Sequence, residues 1–282
     1  MQQHHLNLLL NEQVHLGIFK LIPLKTDCLN YISSPGKFLK KSVLIIKMLG
    51  GVFFLYPCTS LAEFHATLTG TTNNVGRWFT KSDNNPALLA NIDYEHSSGL
   101  YVGSSVSNID FESHEIENNA AHVEIIPYLG WSFSLATAWR LDAQWTRYLY
   151  DGNVFGHPAD YNEFYLFLHY QDMFSGRISF AEDYYGLGNY AIDYELTGRY
   201  SLTDYLELSA SFGFSQTKAV LGSDYPYWNV GFTYYYKFVS LDFRYMDATE
   251  TSIDQTVVEQ KHELYDPPLI DATFVFSISV GF

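Results

Sequence analysis

Alternation with a period of two governs most of this chain. From Ile270 to Phe282 one face reads Ile270, Ala272, Phe274, Phe276, Ile278, Val280 and Phe282, and the other reads Asp271, Thr273, Val275, Ser277, Ser279 and Gly281. Between Leu206 and Phe214 the residues Leu206, Leu208, Ala210, Phe212 and Phe214 alternate with Glu207, Ser209, Ser211 and Gly213. Successive side chains on a strand point to opposite faces, so each segment asks for a sheet that is apolar on one side and polar on the other. The pattern recurs about twelve times and predicts strands over 63–72, 86–96, 100–109, 121–131, 139–150, 161–171, 175–185, 189–200, 205–216, 226–237, 239–249 and 269–282. No helical stretch competes with it. No repeated run of about 20 apolar residues occurs either, which excludes a bundle of membrane helices.

The first sixty residues are a different text. Lys20, Lys25, Lys37, Lys40, Lys41 and Lys47 stand against only Glu12 and Asp27, and both cysteines, Cys28 and Cys58, lie here. Lys37–Lys41 is basic, 42–55 is apolar apart from Lys47, and Ser60 and Ala62 are small. That order is a secretory signal peptide over 36–62, cleaved after Ala62, and a lysine-bearing stretch this short is a poor membrane anchor. Residues 1–35 have no place in such a leader and read as a doubtful N-terminal extension outside the mature protein, 63–282. The chain has a net charge of −15. Removing the leader makes the remainder more acidic, free of cysteine, and aromatic at 43 of its 220 residues. The acidic balance argues against nucleic acid, which needs a basic face to replace the counterions on phosphate.

The connections between strands alternate in length. Those at 97–99, 132–138, 172–174, 201–204 and 238 are short or compact, while 73–85, 110–120, 151–160, 217–225 and 250–268 are longer and polar, with 186–188 as the exception. Short turns on one side and long loops on the other mark an antiparallel up-and-down β-barrel of the outer-membrane kind. The count is about twelve strands within a range of 10–14, the short link between 175–185 and 189–200 leaving ten open. A soluble sandwich also alternates. Against it stand mid-strand charges that a sandwich core could not bury, and aromatics near strand ends (Tyr148/Tyr150, Tyr184/Tyr185, Tyr234–Tyr236) that suit interfacial girdles. Phe282, with Val280 and Ile278 behind it, resembles the C-terminal signal read by the outer-membrane insertion machinery, which makes that machinery and outer-membrane lipid the expected partners.

One stretch is more specific. Arg77-Trp-Phe-Thr-Lys-Ser82, Pro86-Ala87, Asp93-Tyr94, Gly99-Leu-Tyr101-Val-Gly103 and Ser107-Asn108 follow one another over 77–111. This order resembles the N-terminal signature of the TorF family, outer-membrane proteins of Gram-negative bacteria classed as porins. Trp78 replaces that family's usual glycine after the arginine. The resemblance implies a barrel and an outer-membrane location more firmly than it implies a substrate.

If the apolar face meets lipid, the other face lines a lumen. The inward acids are then Asp93, Glu95, Glu124, Asp142, Glu163, Asp183, Asp193, Glu195, Glu207, Asp242 and Asp271. The inward bases are Arg140, Arg177, Arg199, Lys237 and Arg244. Arg147 and Glu182 fall on the wrong face and are expected near an interface or a bulge. The acid excess suits a narrow, cation-preferring pore for passive diffusion of small polar solutes or ions in a monomeric barrel. A second reading pairs these charges into a plug and leaves a non-conducting barrel that binds a partner through loops such as 250–268. An outer-membrane hydrolase is a third. It needs a base beside a nucleophile, and none of His65, His96, His114, His122, His157, His169 or His262 sits in a recognisable signature, although His122 and Glu124 could share a face. No catalytic residue, metal set or cofactor is expected.

Overall fold

In the computed structural model the described residues are 62–76, 79–111, 119–249, 251 and 270–282. Twelve antiparallel strands close into one barrel in sequence order. They are β1 Ala62–Thr71, β2 Ala87–His96, β3 Leu100–Asn108, β4 Val123–Ala136, β5 Trp139–Tyr150 and β6 Tyr161–Tyr170. The second half is β7 Phe174–Ala181, β8 Ala191–Ser201, β9 Leu206–Gln216, β10 Tyr225–Tyr236, β11 Val239–Ala248 and β12 Thr273–Gly281. No helix among the described residues is long and apolar enough to cross a membrane. The leader, the extension and the loop 250–268 fall outside the described residues, apart from Ala62 and Thr251.

The ring closes where β1 meets β12. Thr67–Thr71 pair with Ser277–Gly281 in the opposite order. Thr69 and Ser279 share a hydroxyl hydrogen bond of 2.8 Å, and the Phe282 amide donates to the Ala66 carbonyl at 2.9 Å. Closure leaves no sheet edge for another chain to extend, which is the physical gain of a barrel over an open sheet.

Alternation sets the two faces. On β6, Tyr161, Glu163, Tyr165, Phe167 and His169 are buried while Asn162, Phe164, Leu166 and Leu168 are exposed. The same rhythm leaves Leu88, Leu129, Leu196, Phe212, Phe276 and Ile278 exposed on the outside. Outward aromatics line the whole wall, with Phe164, Phe212 and Phe243 at mid-strand and others towards its ends. Trp131, Trp139, Phe174, Tyr200, Tyr205, Tyr234, Tyr236 and Phe238 stand near the short turns, and Trp228, Tyr245, Phe274 and Tyr190 near the long loops.

Two connections differ from their sequence reading. β4 runs on to Ala136, with a register shift between Ser134 and Ala136, so the turn predicted over 132–138 shrinks to Thr137–Ala138. The strands predicted over 175–185 and 189–200 end at Ala181 and start at Ala191. Between them the chain turns inward through a short 3-10 turn, Tyr184–Gly186, in which Tyr185 has φ 53°. The link is therefore a long loop like its neighbours, and ten strands is excluded. The reason is local: Gly186 and Gly188 both adopt positive φ, which glycine alone tolerates without a steric cost.

Candidate functional site: the lumen and its mouth

The inner wall carries most of the charges that alternation assigned to it. Asp93, Glu124, Arg140, Asp142, Glu163, Asp193, Glu195, Arg199, Asp242 and Arg244 are buried inside, and Glu95, Arg177 and Glu207 are partly exposed on the same face. Three assignments fail. Lys237 stands in the β10–β11 turn with φ 57°, and Asp183 and Asp271 sit in loops; all three are exposed. Each lies beyond the end of its strand, where alternation no longer dictates direction. Arg147 faces outward near the long-loop end, 3.6 Å from Asp160, and Glu182 is exposed just past β7.

Most interior charges have an opposite charge or a hydroxyl beside them. Arg177 Nη2 donates to Glu195 Oε2 at 3.1 Å and to the Tyr227 hydroxyl at 3.2 Å. Arg244 donates to Asp242, to Asn229 and to Ser209, and Thr233 donates at 2.7 Å to Asp242 Oδ2, the oxygen that Arg244 Nη2 also reaches. Ser215 and Ser179 both donate to Asp193. Tyr101 donates to Asp142 at 2.7 Å, and Arg140 lies 3.8 Å from the same carboxylate. A buried charge is tolerated only on such terms, because leaving it unpaired costs several kcal/mol.

The largest departure from the sequence reading is aromatic. Tyr148, Tyr150, Tyr184, Tyr185 and Tyr235, read as girdle residues, point inward, Tyr150 half-buried and the others buried; only Tyr234 and Tyr236 face out as expected. At the long-loop end Phe79, Phe111, Tyr148, Val154, Phe155, Tyr161, Tyr184 and Tyr185 form a single buried cluster. Tyr185 lies 6.0 Å from both Phe79 and Phe111 and 5.0 Å from Tyr161, ring centre to ring centre. The barrel mouth is thus filled by a core of its own.

The first loop enters that core. Val75–Gly76 and Phe79–Thr80 pair as a small ribbon, and Lys81 behind it reaches Glu124 of β4 at 2.7 and 2.9 Å. The Tyr150 hydroxyl donates to the same carboxylate at 2.9 Å, and the Lys81 ammonium stands 5.4 Å from the Tyr148 ring centre. Sequence reading missed Lys81 because it lies in a loop. A lysine two residues after a phenylalanine in an otherwise polar loop was the only available sign.

The signature residues hold this loop. Ser82 accepts from the Asn74 amide at 2.9 Å and donates to the Asn85 carbonyl at 2.7 Å. Asn74 Nδ2 donates to Ser107 Oγ and to the Asn108 carbonyl, both at 3.3 Å, while Asn108 Oδ1 takes the Leu88 amide at 2.6 Å. Pro86 ends the loop and Ala87 begins β2. Gly99 turns with φ 84°, where a side chain would strike the Ser132 carbonyl. Tyr101 pairs with Gly130 and Gly103 with Tyr128 across β3 and β4. A Cβ at either glycine would meet the partner's ring within 2.4 Å, so each ring occupies the space that a glycine leaves open. Arg77 and Trp78 fall outside the described residues.

Hydrolase chemistry finds little footing. His122 is exposed at the rim while Glu124 is buried, so the two share no face. A serine–histidine contact does exist, His169 Nδ1 to Ser175 Oγ at 2.9 Å, brought about by the β6–β7 turn. Arg199 donates to the same hydroxyl at 3.1 Å. A guanidinium there opposes the imidazolium that a serine–histidine mechanism must form. Among the described residues no group of three or more His, Cys, Asp or Glu could hold a metal ion.

The model of a family described as bacterial protein of unknown function, Gcw_chp, matches residues 57–282. The chain belongs to the Gcw_chp family. That match spans the signature stretch but does not bear the TorF name, and the likeness to TorF rests on residues 77–111 themselves. No curated protein matches the chain. Among solved structures the Gcw_chp barrel is similar to a KdgM porin, with TM-score 0.47, 8% identity, and coverage of 77% of this chain and 98% of the other. It is also similar to the COG4313 outer membrane channel from Pseudomonas putida F1, with TM-score 0.43, 8% identity and coverage of 82% and 97%. A third is the CymD monoaromatic hydrocarbon channel, with TM-score 0.41, 12% identity and coverage of 77% and 87%.

Proposed function

We propose that this protein is an outer-membrane channel of the porin kind, narrowed at its mouth by the first loop, for passive movement of small polar solutes or ions. The observation that carries the reading is the inversion of the wall. Bulky apolar side chains such as Leu88, Leu129, Leu196, Phe212 and Phe276 are exposed outside, while ionisable groups such as Glu124, Asp142, Asp193 and Arg244 are buried inside. A soluble barrel would place them the other way, and exposed apolar surface on this scale marks a wall that meets lipid. Strands of about ten residues at the usual tilt match the hydrocarbon thickness, and the outward aromatics near both ends suit its two interfaces. No catalytic role is assigned. The unit is taken as a monomer, delivered by the insertion machinery through the strand that ends in Ile278, Val280 and Phe282.

Among the described residues the inner wall and its loop place Asp93, Glu95, Glu124, Asp142, Glu163, Asp193, Glu195, Glu207 and Asp242 against Lys81, Arg140, Arg177, Arg199 and Arg244. That surplus of acids supports cation over anion preference. The test is current through planar bilayers holding the refolded protein and its Lys81→Met variant, in which the loop has lost its ionic hold. The expected result is small, infrequent openings that become at least several-fold more frequent in the variant, with a reversal potential of cation-selective sign. No current from either protein overturns the channel reading. An anion-selective sign overturns the selectivity alone.

A further inference from the structure

Resting on that channel reading, we infer that the base of the lumen, where β1 meets β2, is a binding site for protonated amines, with short aliphatic diamines as the class it fits. Glu63 of β1 stands directly opposite Glu95 of β2, and His65 directly opposite Asp93. Alternation puts Glu63 and His65 on the inward face of β1, the face that carries Thr69 and Thr71. Residues so opposed have Cβ atoms about 4.5–5.5 Å apart, and like charges there repel. The Glu63 side chain is 49% exposed and Glu95 is partly exposed, so the pair meets water at the short-turn end. Asp93 lies one step deeper on the same face, about 7 Å along the strand, and is only 3% exposed. Asn91 Nδ2 donates to its Oδ1 at 3.0 Å, whereas Oδ2 takes no hydrogen bond among the described residues. A buried carboxylate oxygen in that state is costly until a donor reaches it.

Two neighbours answer these charges only in part. His65 Nε2 lies 3.6 Å from Glu63 Oε2, but an imidazole is largely uncharged at neutral pH. Arg140 of β5 faces Glu95, and its guanidinium is already drawn to Asp142 at 3.8 Å and to Asp172 at 3.9 Å. Glu63, Asp93, Glu95 and Asp142 thus share one guanidinium. Elsewhere on the inner wall Glu124, Glu195 and Asp242 each hold a cation of their own within 3.1 Å. Part of the acid surplus therefore gathers at this corner. A metal ion does not fit it, because among the described residues no three His, Cys, Asp or Glu side chains are grouped to hold one. An ammonium needs no closed shell of oxygens and carries three N–H donors. Two ammonium groups joined by a short alkyl chain reach both levels, one between Glu63 and Glu95 and the other at Asp93 Oδ2, through charge-assisted hydrogen bonds. Thr67 and Asn91, opposite each other one step further in, are partly exposed, so the wall beyond Asp93 also meets solvent.

The experiment pairs calorimetry with bilayer current. Putrescine is titrated into the refolded full chain in detergent, beside butanediol as its uncharged counterpart. Putrescine is expected to bind saturably at a single site, and butanediol at least tenfold more weakly. Asp93→Asn and Glu95→Gln should each lower putrescine affinity at least fivefold. Glu207→Gln, which removes an acid at the same end on β9, should change it less than twofold. Heat-modifiable gel mobility checks that each variant has refolded. In planar bilayers putrescine should interrupt the ion current at concentrations near its calorimetric Kd. Current without putrescine binding overturns the site and leaves the channel reading standing. Binding that survives both Asp93→Asn and Glu95→Gln, or that falls as far with Glu207→Gln, overturns its placement between β1 and β2. Binding that leaves the current uninterrupted overturns a site on the path of solutes. Binding without any current overturns the channel reading and keeps the site, and absence of both removes the two together.

Discussion

The two halves of the inner wall obey one rule of alternation and are built from different side chains. β3 to β6 turn inward Tyr101, Tyr128, Tyr148, Tyr161, Tyr165 and Phe167, while β7 to β9, β11, β12 and β1 turn inward mainly serine, threonine, acids and arginine. Outside, the halves are alike. The difference teaches that period-2 alternation decides which residues share a face, and a charge on that face decides which way it points. On β6 the inward side holds four rings and the outward side Phe164, Leu166 and Leu168, so hydropathy barely separates them and Glu163 alone sets the phase.

The comparison can be broken in several ways. The largest effect is expected from the ring half: Tyr185→Ala or Phe79→Ala empties space in a fully buried cluster and should cost about 3–5 kcal/mol, read by urea unfolding in lipid vesicles. Ser209→Ala on the hydroxyl half should cost about 1 kcal/mol, the usual worth of one hydrogen bond. Equal costs would mean that the mouth cluster is not a core. Lys81→Met leaves Glu124 buried without its cation, a loss of about 3–5 kcal/mol in fully buried pairs. Adding Glu124→Gln should restore part of it, and a double-mutant cycle measures how much. Additive losses would mean that the two groups do not communicate.

Smaller effects separate outside from inside. Leu196→Arg puts a base on the outward face and should cost about 2–4 kcal/mol in a bilayer at mid-depth. A neutral result there would contradict lipid contact on β8. Gly130→Ala drives a methyl group into the Tyr101 ring and should cost about 1–3 kcal/mol by overpacking. Gly176→Ala on β7 meets nothing within 4 Å and should fall within about 0.5 kcal/mol of the parent.

Much of the barrel was legible because strand geometry is written locally. The twelve strand positions, the side on which the long connections lie, and most inward charges follow from alternation and from where it stops. What was not legible depends on loops folding back. Nothing in 182–190 announces that Tyr184 and Tyr185 turn inward, since their direction is set by positive-φ residues on a path that leaves the sheet. Lys81 finds Glu124 across 43 residues, a pairing no local period encodes. The signature residues were legible as a motif before they had a role. Ser82, Ser107 and Asn108 acquire one only once the loop they fasten is seen in place.

The β1–β12 seam has a kinetic consequence. Thr69 and Ser279 are 210 residues apart in sequence, whereas the other ladders join neighbours along the chain. Those ladders can zip progressively from local hairpins, but the last contact must gather the two most distant strands and offset the loss of freedom that such a long closure entails. Until it forms, the growing sheet carries two open edges, each able to pair with a stranger. Assembly of this barrel is thus a race between one long-range encounter and many wrong short-range ones. A helper that held β12 in waiting would speed it more than one that helped any hairpin to fold.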